Sequence, residues 1–428
     1  MTVTASRVIG TEVAPPGHLL RPGVFAALTV ALACVPQGHK DGAFSVAVAD
    51  VAAVGLVAAA AVTARASLRP LSRRVWILAP PVLAVTAATL ASPDAVTSLT
   101  GFVRFLEVFA IIPLAVVLVI RDRAGRRLLM GTVLAVALVQ ALVGLWQTAT
   151  GSGASYAGEP IRAVGTFGAV DVMGMATLVS YGLVVALAVA LTCRGRRRGL
   201  AILALCVLVP ALTASLSRGA WVACLVAAAA MTVLSGWRTA VRVALVGAAA
   251  GVLATVIGMG SPTLAERMTS LMSSTSQPDQ SVTDRYGLWE AAVGMWRHHS
   301  LLGVGPRGFA EQRDGYAPVH VSAGSDTADP VNGFQRQPLL SPHNMYLLVL
   351  SEQGLVGLTA FCALGGGLAV WACLAVRRRR TAASLTAAGF VAWQLTDFVY
   401  ADPGGPPTVV TAVMIGLALS TICDEVRP

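Results

Sequence analysis

Residues 194–242 read RGRRRGLAILALCVLVPALTASLSRGAWVACLVAAAAMTVLSGWRTAVR. Four arginines, Arg194, Arg196, Arg197 and Arg198, precede an apolar run over 199–216. Ser217-Arg218-Gly219 marks a turn, a second apolar run covers 219–236, and Arg238 and Arg242 close the stretch. Each run approaches the roughly 20 apolar residues that a helix needs to cross a bilayer. Inside lipid, backbone polar groups must be satisfied within the segment, which favours helices. The stretch therefore predicts a helical hairpin with arginines at both feet and a tight turn, carrying Arg218, at the far side. Because positive residues gather on the cytoplasmic side of short loops, the feet are cytoplasmic and Arg218 is not.

The same alternation runs through the whole chain. Twelve candidate spans fall at roughly 22–37, 43–63, 75–92, 101–120, 128–147, 169–192, 199–216, 219–236, 241–260, 346–376, 383–400 and 406–423. The run at 346–376 is too long for one straight span and reads as an interfacial helix that then crosses. Every even-numbered span ends at a basic loop: Arg65 to Arg74, Arg121 to Arg127, Arg194 to Arg198, Arg238 with Arg242, and Arg377 to Arg380. The intervening short loops at 93–100 and 401–405 carry Asp94 or Asp402 and no arginine. Both termini are expected in the cytoplasm, and the formal net charge of +10 is topological rather than a nucleic-acid footprint.

Composition agrees. Of 428 residues, 56% are hydrophobic and 12% charged, with a mean hydropathy of +0.72, whereas soluble domains carry about 25% charged residues. A soluble enzyme, a disordered chain and a nucleic-acid binder are excluded. The expected fold is an all-α integral membrane protein, a bundle of about 12 transmembrane helices with a large, partly helical extracytoplasmic loop. Its parts are a cytoplasmic segment over 1–21, spans one to nine over 22–260, the loop over 261–341, spans ten to twelve over 342–423 and a tail over 424–428. The first twenty or so residues, with Arg7, Pro15, Pro16 and Arg21, have no apolar core followed by a small-residue cleavage site, so no cleaved signal peptide is expected. Within the loop, 262–272 predicts a short helix and 281–299 a longer one, with Ser281 and Asp284 in capping-box spacing and 273–280 as a polar connection.

Seven cysteines lie in or beside apolar runs without C-x-x-C spacing, so they read as helix filler rather than metal ligands or disulfides. Ionisable residues inside spans are costly to insert. Here they are Asp50, Arg104, Glu107 and Asp397. Arg104 and Glu107, three apart, predict a structural ion pair, whereas Asp50 and Asp397 read equally as transport carboxylates or as satisfied groups near helix ends. On the outer side lie Ser217-Arg218-Gly219-Ala220-Trp221, then Asp284-Arg285-Tyr286-Gly287-Leu288-Trp289, then Leu302-Gly303-Val304-Gly305-Pro306. Pro342-His343-Asn344-Met345-Tyr346 follows, with Glu352-Gln353-Gly354 and Gly357. Guanidinium forks suit phosphate oxygens, and a neutral imidazole accepts a proton near pH 7. Two arginines and a histidine on one face suit a phosphorylated lipid head group.

In that order these motifs, strongest over 212–358, resemble the O-antigen ligase and Wzy-type polymerase family, as do the span number and the late large loop. Arg162-Ala163-Val164-Gly165-Thr166-Phe167-Gly168 is similar to a further family segment, R-x-x-G-T-F-G. This chain continues with Val170-Asp171 where the family often has Pro-Asn. The resemblance implies a membrane glycosyltransferase of the bacterial cytoplasmic membrane, with its active site on the extracytoplasmic face. It would move a saccharide from a polyprenyl-diphosphate-linked donor to a glycan, glycolipid or protein acceptor, by inversion and without metal or other cofactor. The absence of a D-x-D-like pair on the outer loops agrees with a metal-free site. By the same resemblance Arg218 and Arg285 would bind the diphosphate, with Arg162 a further contact. His343 would handle the acceptor hydroxyl, and Tyr346 would contact substrate. Ligase and polymerase share these motifs and differ in acceptor. From another class, a secondary transporter of a small anion would use Asp50, Glu107 and Asp397 and should show an internal repeat, which the sequence lacks. A scaffold would leave the outer arginines unexplained.

Overall fold

Side-chain caps set several of the helix starts in the computed structural model of the chain. It describes residues 22–35, 48–66, 72–156, 159–168, 171, 173–245, 247, 280–322, 325–329, 333–337, 339–402, 404–405 and 407–425. Asp94 accepts from the Val96 and Thr97 amides and opens a helix at Ala95, and Asp122 does the same for Gly125. Thr381 and Ser384 form a reciprocal capping box. Such caps satisfy amides that the first helical turn leaves without partners.

The first half contains α1 (Gly23–Leu32), α2 (Val48–Ala66), α3 (Ala79–Leu90), α4 (Ala95–Leu106), α5 (Ile112–Val119), α6 (Arg123–Thr150), α7 (Gly174–Thr192), α8 (Arg196–Ala214) and α9 (Arg218–Leu234). A 3₁₀ turn over Arg73–Leu78 leads into α3, and a π-helical turn over Glu107–Ile111 joins α4 to α5. A short hairpin, β1 (Ala154–Tyr156) with β2 (Glu159–Arg162), follows α6. The second half has α10 (Gln280–His298), α11 (Gly308–Gln312), α12 (Val319–Ser322), the hairpin β3 (Ser325–Asp329) with β4 (Gly333–Gln337), and then α13 (Met345–Arg378), α14 (Ala382–Asp397) and α15 (Pro407–Asp424).

Among the described residues, seven helices are long and apolar enough to cross a membrane: Val48–Arg65, Ala95–Val119, Arg123–Thr150, Gly174–Thr192, Arg196–Ala214, Met345–Arg378 and Pro407–Asp424. Gly23–Leu32 and Arg218–Leu234 are shorter apolar helices. The expected ninth span lies largely outside the described residues, as do the predicted helix at 262–272 and the connection at 273–279. The described residues thus form a helical membrane bundle with two small hairpins, in which seven of the helices are long and apolar enough to span.

The innermost layer is α7, α14 and α15. Trp393, Tyr181 and Phe390 are fully buried there, and Tyr181 Oη donates to Gln394 Oε1 at 2.8 Å and lies 2.7 Å from Thr411 Oγ1. Small residues and shared hydrogen bonds of this kind hold helices together where lipid supplies no hydrophobic drive. A second core outside the bundle gathers Leu288, Ala291, Ala292, Met295, Val304, Phe309 and Val321. It anchors α10 on the start of α13. The α10 helix begins at Gln280, one residue before Ser281, and the side chains of its first turn that would test the capping box lie outside the described ones. Its buried stripe is Asp284, Leu288, Ala291, Ala292 and Met295.

The long run after His343 is bent, as its length predicts. Gly354 takes φ 63° and ψ −162° inside α13. At this break the chain accepts a second segment: Val304 and Gly305 amides donate to the Ser351 and Glu352 carbonyls, and Leu355 and Val356 amides donate to Ser300 and Leu301. The two glycine motifs therefore grip one another backbone to backbone. A Cβ on Gly303 would lie 2.3 Å from the Glu352 carbonyl carbon, and one on Gly354 2.2 Å from Leu301 O.

Candidate functional site

His343 sits at the entry to α13 with φ 49°, a left-handed conformation that costs a non-glycine residue on the order of 1–3 kcal/mol. Its neighbours are fixed on both sides. Pro342 O accepts from Trp289 Nε1 of α10 at 2.9 Å, and Asn344 Oδ1 caps α13 by accepting from Leu347 N at 3.1 Å. Asn344, not His343, is therefore the helix cap. The His343 amide donates to Ser341 Oγ at 3.0 Å. Its half-exposed imidazole places Nδ1 4.0 Å from Oδ1 of Asp402, a well-covered carboxylate in the α14–α15 loop.

Arg285 of α10 completes this group. Partial burial, and then the Arg285 charge, hold the His343 pKa below the ordinary imidazole value, which leaves the ring neutral near pH 7. Burial pushes the Asp402 carboxyl up to about 6, opposed by its own and the His343 backbone amides and by the Arg285 charge. Arg285, His343 and Asp402 are thus one electrostatic unit.

The other two arginines form a second group. Arg162 leaves β2 buried, with Nε donating to Ser215 O and an Nη 3.3 Å from Met173 Sδ. Ser215 lies in the turn that ends at exposed Arg218, the first residue of α9. Gly219 lets Tyr400 close on that turn, since an added Cβ would lie 3.0 Å from Tyr400 Cβ. Tyr400 and Asp402 belong to one short loop, so the Arg162–Arg218 group and the Arg285–His343 group flank the same segment. The Tyr346 hydroxyl donates to Leu395 O at 2.8 Å, and its ring packs with Phe361 and Phe398.

Two glutamines one heptad apart on α6 hold the Arg162 loop. Gln147 Oε1 accepts from the Val164 and Gly165 amides, and its Nε2 donates to Gly165 O. Gln140 Oε1 accepts from Thr166 N, and its Nε2 donates to Thr166 Oγ1. Asp171 precedes α7 and lies against the α14–α15 loop: Gly405 has no room for a Cβ, which would lie 2.7 Å from Asp171 Oδ2. Arg104 bridges Glu107 at 2.7 Å and Asp50 at 3.5 Å, and also reaches Gly405 O at 3.5 Å. The expected Arg104–Glu107 pair is present, with Asp50 as a third member. Asp397 is buried at the end of α14. Among the described residues no three His, Cys, Asp or Glu side chains are grouped as a metal site requires.

Sequence reading singles out Arg162, Arg218, Arg285, His343 and Tyr346 as candidates. It gives no site role to Asp402, Gln140 or Gln147, whose partners are distant in sequence.

Residues 202–362 match the family model described as O-antigen ligase. Over those residues the chain is similar to the O-antigen ligase family. The matched stretch carries Arg218, Arg285, His343 and Tyr346, whereas Arg162 and Asp402 lie on either side of it. No curated protein matches the chain.

Proposed function

We propose that the protein transfers a saccharide from a polyprenyl diphosphate to an acceptor hydroxyl on the extracytoplasmic face of a bacterial cytoplasmic membrane, with inversion and without a metal ion. The observation that carries this reading is the match of residues 202–362, which brings Arg218, Arg285 and His343 into one ligase-like stretch, with the Arg285 charge acting on the His343 ring. The acceptor oxygen attacks the anomeric carbon opposite the leaving group. As that C–O bond forms, the bond to the diphosphate breaks and the diphosphate leaves with the electron pair. His343 takes the hydroxyl proton. Arg218 and Arg285 meet the charge growing on the diphosphate, so they favour the transition state over the ground state. Arg162 supports the Arg218 turn and adds charge beside it. Tyr346, whose hydroxyl is engaged by Leu395, takes part in substrate binding through its ring. Ligase and polymerase differ only in whether the acceptor is a second lipid-linked unit.

Purified protein in nanodiscs is expected to release polyprenyl diphosphate from a polyprenyl-diphosphate-linked saccharide in the presence of EDTA. The leaving diphosphate is already a stable anion, and two guanidinium groups supply the stabilisation that Mg²⁺ supplies elsewhere. Turnover abolished by EDTA and restored by Mg²⁺ would overturn the metal-free mechanism. Donor alone distinguishes polymerisation, which lengthens the glycan, from ligation, which needs an added acceptor.

A further inference from the structure

We infer that the arginine-rich end of the bundle carries a binding site for the phosphate of an anionic phospholipid, built where the end of α9 meets the turn between α13 and α14. It lies at the far end of α9 from Arg218 and is separate from the transfer proposed above. Two basic segments distant in sequence converge there. Arg380, which follows α13, donates through Nη1 to Ser235 O, the carbonyl just past the last residue of α9. Gly236 comes next with φ 115°, and a Cβ added to it would lie 3.9 Å from Arg380 Nη1. The chain then turns into helical residues 237–245, where Arg238 and Arg242 stand four apart and so share a face. Both are exposed, as is Arg380. Ser235 is 6% exposed, and its Oγ is buried with no hydrogen-bond partner among the described residues. A buried hydroxyl without a partner is costly, and beside Arg380 it is a further donor for an anion.

Charge selects the ligand class. Residues 231–245 and 374–390 contain no acidic side chain, and Glu425 at this end is approached by Arg379, at 3.8 Å. Guanidinium forks match phosphate oxygens. Arg380 is already held by the Ser235 carbonyl, so it loses less side-chain freedom on binding. The surroundings select a lipid over a soluble phosphate. Trp237 is 72% exposed, with the Arg238 guanidinium 5.9 Å from its ring centroid, and Val233 in the last turn of α9 is 64% exposed. An indole beside an exposed aliphatic side chain suits the glycerol and acyl region of a lipid. Arginines gathered between helix ends suit its head group.

The test uses full-length protein in detergent, titrated with phosphatidylglycerol or with phosphatidylcholine of the same acyl chains and read by native mass spectrometry. Phosphatidylglycerol is expected to bind in preference. Arg238→Gln and Arg380→Gln should each weaken it roughly 5-fold, the effect of removing one charge near a lipid surface. Arg238→Gln leaves the Arg380 contact with Ser235 in place, so its loss of lipid does not depend on that contact. The control is Arg196→Gln with Arg197→Gln, which removes two exposed charges at the start of α8, a helix packed on α6 and α7. It should keep the preference. Brominated lipids locate the site: the fluorescence that Trp237→Phe removes should be quenched more by brominated phosphatidylglycerol than by brominated phosphatidylcholine. Equal binding of the two lipids overturns the inference. So does a loss in the α8 control as large as in Arg238→Gln and Arg380→Gln, because this end would then act only through its total charge. Displacement of the lipid by millimolar inorganic phosphate would make it a site for soluble phosphate and would overturn it as well.

Discussion

At the scale of single residues, the proposed mechanism separates charge from proton transfer. Arg218 stands at the first position of α9, on a turn closed by Tyr400, and Arg285 stands in the group that includes His343. Replacing either with alanine should cost roughly 2.7–4 kcal/mol of transition-state stabilisation, by analogy with deleting one oxyanion donor. Lysine should rescue only in part, because a point charge cannot reproduce the bidentate fork. His343→Ala should instead cost about 10²- to 10⁴-fold in rate and leave donor binding nearly intact. Paired measurements of donor binding and turnover test the division: arginine variants that bind and transfer like the wild type would remove it. The pH dependence has a definite sign. With the His343 pKa below the ordinary imidazole value, activity should hold at neutral pH and fall as acid protonates the ring. The arginines and the histidine were legible because each sits in a compact motif. Asp402, 59 residues beyond His343, belongs to no such motif, and its partnership exists only once α14 returns the chain to the start of α13.

Elements meet here through glycines. The sequence predicts that 346–376 is too long for one straight span but contains no proline to mark the bend. The bend is at Gly354, where φ 63° frees the backbone to take the 300–305 segment as a partner. Glycine-rich motifs that resemble a chemical signature are therefore in large part a docking device, and the chemistry lies in the residues they bring close. Gly354→Ala is expected to cost at least about 1–3 kcal/mol through backbone strain alone, and the clash with Leu301 O adds to it. Gly366→Ala is the control on the same helix. Nothing lies within 4 Å of its added Cβ, and helix propensity favours alanine by about 0.8–1.0 kcal/mol. Thermal unfolding in detergent should show a lowered midpoint for Gly354→Ala and none for Gly366→Ala. Equal midpoints for Gly354→Ala and the wild type would mean that the break does not hold the loop. Helix α10 gains its stability from the stripe at Leu288, Ala291, Ala292 and Met295 packing on the second core, and it extends past the residue that local spacing selects as cap.

Across the whole molecule the charges divide between two ends. At one end Arg74 donates to Ile422 O, Arg126 pairs with Asp424 at 2.6 Å, and Arg379 approaches Glu425 at 3.8 Å. Arg380 donates there to Ser235 O. These contacts gather the basic loops after α2, α5 and α13 around the end of α15. At the other end lie the Arg162, Arg218, Arg285 and His343 groups, together with Asp94 and Asp402. The alternation of arginines along the chain is thus a physical segregation in space, and the bundle was legible in sequence because bilayer thickness and loop charge are local properties. Helix length is a weaker guide to each crossing, since α3 has 12 residues and α1 has 10. If arginine-rich loops stay in the cytoplasm, the site end faces outward. In a cysteine-free background, Ser325→Cys and Thr275→Cys should then react with a membrane-impermeant maleimide in intact cells. A cysteine appended after Pro428 should react only after permeabilisation. The reverse pattern would invert the bundle. It would also remove the site, because a donor presented on the outer leaflet would meet only the basic end and never reach Arg218, Arg285 or His343.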